Sequence, residues 1–218
     1  MIFIKKIIIL LLCLILFPSN IFAFSNDYFD ISITDEFKET KTDDELAFKW
    51  VSDSDNKLPS IVITIEKNNS ATPYNIESYT VEELVVYKKQ IVNKMKESLK
   101  DYDIDVTVSN IEKKNINGLT SMYYTIYWPT KDSYGYDMYQ RSTVFTTKKY
   151  VTTIIYSTTD EKDYKTTKYI DLINSLKIKD TSITDYNFFD STLNRIVIVG
   201  IIGGIIGFII SAVRKKRR

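Results

Sequence analysis

The chain has 218 residues, with 29 basic and 28 acidic side chains, one cysteine and no histidine. The lack of histidine excludes Ser–His triads, histidine-based acid–base catalysis and the usual zinc sites. Residues 24–194 contain all 28 acidic residues but only 21 of the 29 basic ones, so this segment has a net charge of −7, which disfavours nucleic-acid binding.

The N-terminus has the layout of a secretory signal peptide. Lys5 and Lys6 precede an apolar run at residues 7–17, and Ala23 supplies the small residue that cleavage requires. We therefore expect a signal peptide over residues 1–23, removed after Ala23.

There are two alternatives. The chain could be cleaved after Ser25, or the N-terminal segment could stay uncleaved and anchor the protein in the membrane. Each of them places the following segment on the outer side of the membrane. Cys13 follows Leu12 rather than a small residue, which disfavours lipidation. Cys13 is expected to leave with the signal, so the mature chain would have no disulfide, reactive thiol or thiolate metal site.

The first half of the next segment predicts strands and then a helix. Thr80 and Glu83 have the spacing of a capping box, and apolar residues then recur every three or four positions, which predicts an amphipathic helix over Val81–Lys100. Strands are predicted at Tyr28–Ile33, Leu46–Val51 and Ser60–Ile65. Apolar and polar residues alternate with period two in the first two, and the third is rich in β-branched residues.

The second half predicts further strands and a closing helix. Asn117-Gly118 is a hairpin turn signal, and Lys148-Lys149 stands between two strand patterns. The predicted strands are Val106–Glu112, Ser121–Trp128, Asp137–Thr146 and Tyr150–Ser157. In the second of these, one face should hold Met122, Tyr124, Ile126 and Trp128. The closing helix is predicted near Asp163–Leu176, and the segment Ser175–Lys179 ends it. The apolar side of this helix consists of Tyr169, Leu172, Ile173 and Leu176.

These elements predict the fold class α+β, a mostly antiparallel sheet with packed helices. The order is strands, helix, strands, helix, and tight turns join consecutive strands. We expect one domain over residues 24–180, followed by a polar linker at residues 181–194.

The C-terminal segment is predicted to span a membrane at residues 195–213. Eighteen uncharged residues run from Ile196 to Val213, and as a helix they would measure about 27 Å, close to the ~30 Å hydrocarbon core. Five cations follow at residues 214–218 and mark the cytoplasmic side. We expect a single-pass protein of the cytoplasmic membrane with its domain outside and its basic tail inside.

Several short phrases in this order resemble one known family. They are "YFDISIT" after the export signal, "INGLTSMYYTIYW" and "YVTTIIYS" in the later strands, and "INSLKIKD" at the closing helix. Together with the helix at Val81–Lys100 they resemble the PsbP-like/DcrB-like sandwich, a fold shared by photosystem PsbP proteins and bacterial envelope proteins. The resemblance covers about residues 27–180 and implies binding or assembly roles at membranes more often than catalysis. A C-terminal spanning helix departs from the family pattern.

The carboxylates do not predict a metal or cofactor site. Asp53 and Asp55 have the spacing of calcium ligands, but Lys57 occupies the third ligand position, so a solvated turn is the preferred interpretation. The acidic residues at 43–45 and at 101, 103 and 105 are interpreted as surface groups. We therefore expect no cofactor and no metal.

Tyrosines and one arginine are the candidate binding residues. Tyrosine is abundant in the third quarter of the domain, and Tyr123 and Tyr127 should lie on the strand face opposite Tyr124 and Trp128. An aromatic platform for a glycan or peptide is one interpretation, and ordinary half-buried sheet residues are the other. The candidate residues are Tyr123, Tyr127, Tyr134, Tyr136 and Arg141, with a structural ion pair as the alternative role of the arginine.

Small residues in the apolar C-terminal segment indicate a helix association surface. They recur at intervals of four residues, which lets helices approach closely, although lone spanning helices are also rich in glycine. The residues concerned are Gly200, Gly203, Gly204, Gly207 and Ser211.

Together these features predict a membrane-anchored, non-enzymatic binding or assembly domain. Its partners would be the lipid bilayer, another membrane or cell-envelope component, or a second copy of the chain. The alternatives are a carboxylate-based enzyme acting on a cell-envelope substrate and a subunit of a membrane complex that associates through its glycines.

Overall fold

The structure is a computed structural model that describes residues 21–68, 75–99, 105–131, 135–165 and 168–182. Its first strands are β1 (Ile21–Ser25), β2 (Phe29–Thr34), β3 (Phe37–Thr40), β4 (Ala47–Ser52) and β5 (Ser60–Lys67). A 3₁₀ turn (Ile76–Ser78) leads to α1 (Val81–Leu99). The elements that follow are β6 (Thr107–Val108), β7 (Glu112–Ile116), β8 (Leu119–Trp128), β9 (Met138–Thr146), β10 (Tyr150–Thr158), α2 (Glu161–Lys165), α3 (Lys168–Ser175) and β11 (Lys177–Ile178).

These strands form two antiparallel sheets. The large sheet has eight strands in the order β3-β4-β5-β10-β9-β8-β6, and β7 also pairs with β8. The small sheet has the order β1-β2-β11. The predicted fold class, α+β with a mostly antiparallel sheet, is confirmed by this topology.

Helix α1 begins as the sequence predicts. The backbone N–H of Thr80 donates to Glu83 Oε2 at 2.6 Å, and the backbone N–H of Glu83 donates to Thr80 Oγ1 at 3.2 Å. This reciprocal pair satisfies two N–H groups that have no partner within the helix. The buried side of α1 consists of Leu84, Tyr87, Ile91, Met95 and Leu99.

The large sheet is covered on both sides. We call the side that packs against α1 the α1 face, and the side that packs against the small sheet and α3 the α3 face. As predicted, the four alternate apolar residues of β8 from Met122 to Trp128 lie together, in the core of the α1 face. The core of the α3 face joins Phe29 and Ile31 of β2 to Tyr169 and Leu172 of α3. The molecule is thus layered as helix, sheet, and small sheet with helix.

The predicted hairpin turn at Asn117-Gly118 is confirmed. Both residues have positive φ, 52° and 85°, and they join β7 to β8. Glycine and asparagine adopt this conformation at the lowest cost, which is why this dipeptide turns a hairpin tightly.

The single strand predicted at Val106–Glu112 is wrong, because two separate strands, β6 and β7, pair with different parts of β8. Ser109 lies between them. Its N–H donates to the carbonyl of Thr125 at 2.9 Å, and its hydroxyl accepts from the N–H of Thr125 at 2.9 Å. The Ser109 hydroxyl takes the place of one backbone acceptor in the ladder, and the regular pairing with β8 is interrupted there.

The segment Ser175–Lys179 does more than end the last helix. Within it β11 pairs with β2, with Lys177 opposite Asp30 and Ile178 opposite Phe29. The three-stranded small sheet is therefore closed by residues that are about 150 positions apart in sequence. Strands β1, β3 and β11 were not predicted, since each is short or lies in a segment assigned to another role.

The predicted cleavage position after Ala23 lies inside β1. Ala23 is opposite Ser32 in β2, and the ring of Phe24 lies 5.0 Å from that of Trp50 and 5.8 Å from that of Phe29. The rest of the predicted signal, residues 1–20, lies outside the described residues. The site of cleavage stays a prediction.

The predicted membrane segment also lies outside the described residues. This applies to residues 195–213, to the basic tail at 214–218 and to the linker beyond Ser182. Within the described ranges, no helix combines the length and the apolar character that crossing a bilayer requires.

Candidate functional site

The register of β8 and β9 brings three of the predicted site residues to the α3 face. Thr125 is paired with Arg141, while Tyr123 and Tyr127 stand two residues to either side on β8. Side chains two residues apart on a strand share a face. Tyr123 and Tyr127 therefore lie opposite Tyr124, as predicted, and together with Arg141 they are half-buried.

Tyr169 of α3 lies against two of these residues, Tyr123 and Arg141. Its ring lies 6.2 Å from that of Tyr123 and 6.0 Å from that of Tyr156, and the guanidinium carbon of Arg141 lies 5.5 Å from its centroid. We call Tyr123, Arg141, Tyr156 and Tyr169 the Tyr169 cluster. An arginine over an aromatic ring is attracted by the negative ring face, which holds the planar guanidinium in place.

The two inner hydroxyls of the cluster are hydrogen-bonded. Tyr169 shares a hydrogen bond with Thr143, and Tyr156 donates to Asp163. Burial raises the pKa of both tyrosines, and the contact with Asp163 raises that of Tyr156 further. Both phenols therefore stay protonated at neutral pH, and Arg141 supplies the formal charge of the cluster.

An ionic network borders the cluster. Lys168 Nζ lies 3.0 Å from Glu36 Oε2 and 3.7 Å from Asp163 Oδ1. The hydrogen bond to Glu36 is the main cause of the raised pKa of Lys168. A cavity of about 280 Å³ lies beside this network, with Tyr156, Lys168 and Leu172 among its walls. Because its charges are already paired, this network is well suited to hold α3 on the sheet.

A second aromatic group adjoins the Tyr169 cluster on the same face. The Tyr127 ring lies 5.3 Å from that of Tyr139, and the Tyr127 hydroxyl donates to Asp137 Oδ2 at 3.0 Å. This hydrogen bond is the main cause of the raised pKa of Tyr127. On the other side, Lys114 Nζ lies 3.6 Å from the centroid of the Tyr123 ring. We call the row formed by Tyr127, Tyr139 and the Tyr169 cluster the aromatic row.

Two of the predicted tyrosines do not belong to the aromatic row. Tyr136 is half-buried against the core of the α1 face, on the other side of the sheet, and burial raises its pKa. Tyr134 lies outside the described residues, as do the predicted association residues Gly200, Gly203, Gly204, Gly207 and Ser211.

Tyr156 and Tyr169 belong to the Tyr169 cluster, but the sequence pattern did not identify them as candidate site residues. The spacing of Tyr169 with Leu172 and Ile173 predicted only a buried helix face, and Tyr156 lies in a strand whose residues are buried on both sides. A pattern of this kind indicates that a residue is buried but not which residue it meets.

The acidic residues considered as metal ligands are dispersed. Asp53 lies on a turn and pairs with Lys38 at 2.7 Å, and Asp105 is exposed. Asp101 and Asp103 lie outside the described residues. Across the part of the chain that the structure describes, no group of three or more His, Cys, Asp or Glu side chains is arranged to hold a metal ion.

Glu66 is a half-buried carboxyl whose pKa is raised by burial and by the nearby charge of Asp44. A raised pKa means that the folded state disfavours the ionised form, so the cost is present at neutral pH and disappears below the pKa of the unfolded chain. We expect Glu66→Gln to raise the free energy of unfolding at pH 7 by less than about 1 kcal/mol. Urea unfolding at pH 7 and at pH 3.5 measures this difference.

The matched control for Glu66 is Glu39→Gln, on the exposed edge strand β3. As an exposed surface substitution, it should change the free energy of unfolding at pH 7 by no more than about 0.5 kcal/mol. A Glu66→Gln variant that is less stable than the parent at pH 7, or equally altered at pH 3.5, would contradict the expected sign.

Comparison with known proteins identifies the fold but no sequence family. No protein-family model and no curated protein matches this sequence. Among solved structures, the chain is similar to the solution structure of cyanobacterial PsbP (CyanoP) from Synechocystis sp. PCC 6803, with a TM-score of 0.50 and 13% identity. That similarity covers 75% of this chain and 95% of the other.

Two further solved structures are similar at lower scores. A Bacteroides thetaiotaomicron protein has a TM-score of 0.48 and 12% identity over 75% of this chain, which spans only 50% of that protein. A Pseudomonas aeruginosa protein of unknown function has a TM-score of 0.34 and 13% identity, covering 69% of this chain and 90% of the other. The topology and the similarity to CyanoP together show that the described domain has a PsbP-like α+β fold.

Proposed function

We propose that this chain is a single-pass protein of the cytoplasmic membrane that displays a non-enzymatic binding domain on the outer side. The apolar segment at residues 195–213, the cations that follow it and the signal-like N-terminus support this topology. A relationship to DcrB-like envelope proteins is part of the same proposal and rests on the order of the elements.

The aromatic row is the observation that carries the binding role. Three of its tyrosines, Tyr123, Tyr127 and Tyr139, are half-buried on one side of the sheet together with Arg141, and the basic side chain of Lys114 lies next to them. Tyrosine and arginine are among the residue types that contribute most to protein interfaces, because each combines a large contact area with hydrogen-bonding groups. Arginine also matches the geometry of a carboxylate. We infer that the partner is a protein segment of the cell envelope that bears a carboxylate.

Site-specific photo-crosslinking in cells tests the binding role. A benzophenone amino acid placed at Tyr127 should give a discrete crosslinked species, whereas the same probe at Val86 should not. Val86 is 46% exposed on α1, away from the α3 face, and is therefore a matched surface position. Adding Arg141→Ala should lower the yield at Tyr127 about tenfold, the effect of losing one charge-assisted hydrogen bond. Equal products at both positions, or none at Tyr127, would refute the aromatic row as the binding surface.

Protease accessibility tests the topology separately. In spheroplasts the folded domain should be open to added protease, while a tag after Arg218 should be protected. A protected domain with an accessible tag would reverse the proposed orientation.

A further inference from the structure

A groove on the α1 face carries an independent inference. Its volume is about 170 Å³, and its walls come from Thr42 and from β4, β5, β9 and β10, with no residue of α1 among them. It therefore lies on the part of the sheet beside the helix, on the side opposite the aromatic row.

The register of the strands divides the floor of this groove into two rows. Ser60 of β5, Ser157 of β10 and Gln140 of β9 are successive cross-strand neighbours and form a polar row. Two residues further along the strands, Val62 and Ile155 are paired in the same way and form an apolar row. A ligand with one polar edge and an apolar body matches this division.

Gln140 provides a hydrogen-bond donor for such a ligand. Its side chain is 0% exposed to solvent, and its Oε1 accepts from the indole N–H of Trp128 at 3.2 Å. An indole nitrogen can only donate, so the amide atom that faces it is the oxygen, Oε1. The other polar atom of the Gln140 side chain is therefore the donor nitrogen, Nε2. Within the described residues Nε2 has no hydrogen-bond partner. Buried polar groups are nearly always hydrogen-bonded, so an unpaired donor in a groove wall indicates a site for an acceptor.

Lys49 gives the groove its charge preference. It lies in the wall on β4, opposite Val62, and is half-buried, and burial lowers its pKa. Strands β5 and β10 separate β4 from β9, so Lys49 and Gln140 are about 14 Å apart across the strands, and they are also offset by two residues along the strand direction. The positive charge of Lys49 in the groove wall attracts an anion and repels a cation of the same size.

We propose that this groove binds a small carboxylate with an apolar body of about six carbon atoms, since an apolar cavity of ~150 Å³ holds one benzene molecule. Gln140 Nε2 donates to a carboxylate oxygen, and Val62, Ile155 and Met138 contact the apolar body. Lys49 makes the groove favour an anion over a cation of the same size. This site is separate from the aromatic row and does not depend on its proposed role.

Tryptophan resonances provide a direct test, because the chain contains two tryptophans on opposite faces of the sheet. The full chain is placed in phospholipid nanodiscs with ¹⁵N-labelled tryptophan and titrated with hexanoate. The indole N–H of Trp128 should shift saturably, since it shares the Gln140 amide, whereas that of Trp50 should stay in place. Hexylamine, a cation of similar size, should leave both resonances unchanged.

Two substitutions make the test specific. Lys49→Met should weaken hexanoate binding about tenfold. Lys177→Met removes the same charge from β11, in the small sheet, and should leave the affinity unchanged. An unshifted Trp50 resonance in each variant verifies that the domain is folded. The proposal is overturned if hexanoate gives no saturable shift of Trp128, if Trp50 shifts equally, if hexylamine binds as well, or if Lys49→Met binds hexanoate normally.

Discussion

Replacing Tyr169 with alanine is expected to lower the free energy of unfolding of the domain by about 3 to 5 kcal/mol, the cost of removing a buried aromatic side chain. Tyr169 is 3% exposed, and its ring contacts those of Tyr123 and Tyr156 beneath the Arg141 guanidinium. Its loss would leave a cavity between α3 and the sheet and remove the hydroxyl partner of Thr143. Domains of this size are stable by only about 5 to 15 kcal/mol, so the loss would be a large fraction of the total.

Urea unfolding of the full chain in mild detergent, followed by tryptophan fluorescence, measures this loss. Tyr169→Phe is the matched control, because it keeps the ring and removes only the hydroxyl, at a cost of about 1 kcal/mol. If Tyr169→Ala costs no more than Tyr169→Phe, the ring does not organise the cluster. The packing of α3 on the sheet would then depend on the small sheet instead.

Ile91→Ala is expected to have the second largest effect, about 2 to 5 kcal/mol of unfolding free energy. Ile91 is 0% exposed at the middle of α1, within the core of the α1 face. Truncation would remove three carbon atoms where the helix meets the sheet, and close packing on both sides limits how far the cavity can collapse. The same urea unfolding measurement applies.

Val85→Ala on the same helix is the control for Ile91→Ala. Val85 is 49% exposed, and alanine has the higher helix propensity, so this change should alter stability by no more than about 0.5 kcal/mol. Equal losses for the two substitutions would mean that α1 does not bury Ile91 against the sheet.

The two candidate binding surfaces lie on opposite faces of one sheet and differ in chemistry. The aromatic row offers the half-buried side chains of Tyr123, Tyr127, Tyr139 and Arg141 to an extended partner, while Tyr156 and Tyr169 are buried. The groove offers a floor with one polar and one apolar row, a buried amide donor and a lysine, which suits a small molecule. Since β9 and β10 contribute residues to both, a substitution in their shared core would disturb both sites, whereas Lys49→Met and Arg141→Ala should each affect one.

Much of the secondary structure follows from local sequence. The Thr80–Glu83 pair and the spacing of the apolar residues specify α1, because capping and helical periodicity act over a few residues. Asn117-Gly118 specifies a hairpin in the same way. The break at Ser109 was not predicted, since it depends on a hydrogen bond to Thr125, 16 residues away.

What the sequence by itself determined is which side of each element is buried and where the main helix and hairpins form, because these depend on local patterns of two to four residues. What only the tertiary structure decided is which buried and half-buried residues meet. Arg141 meets Tyr169 of α3, Tyr136 turns to the opposite face from Tyr123, and Gln140 joins Ser157 and Ser60 in one row. These contacts depend on strand order and register, which arise from pairing between distant segments and leave no periodic trace in the chain.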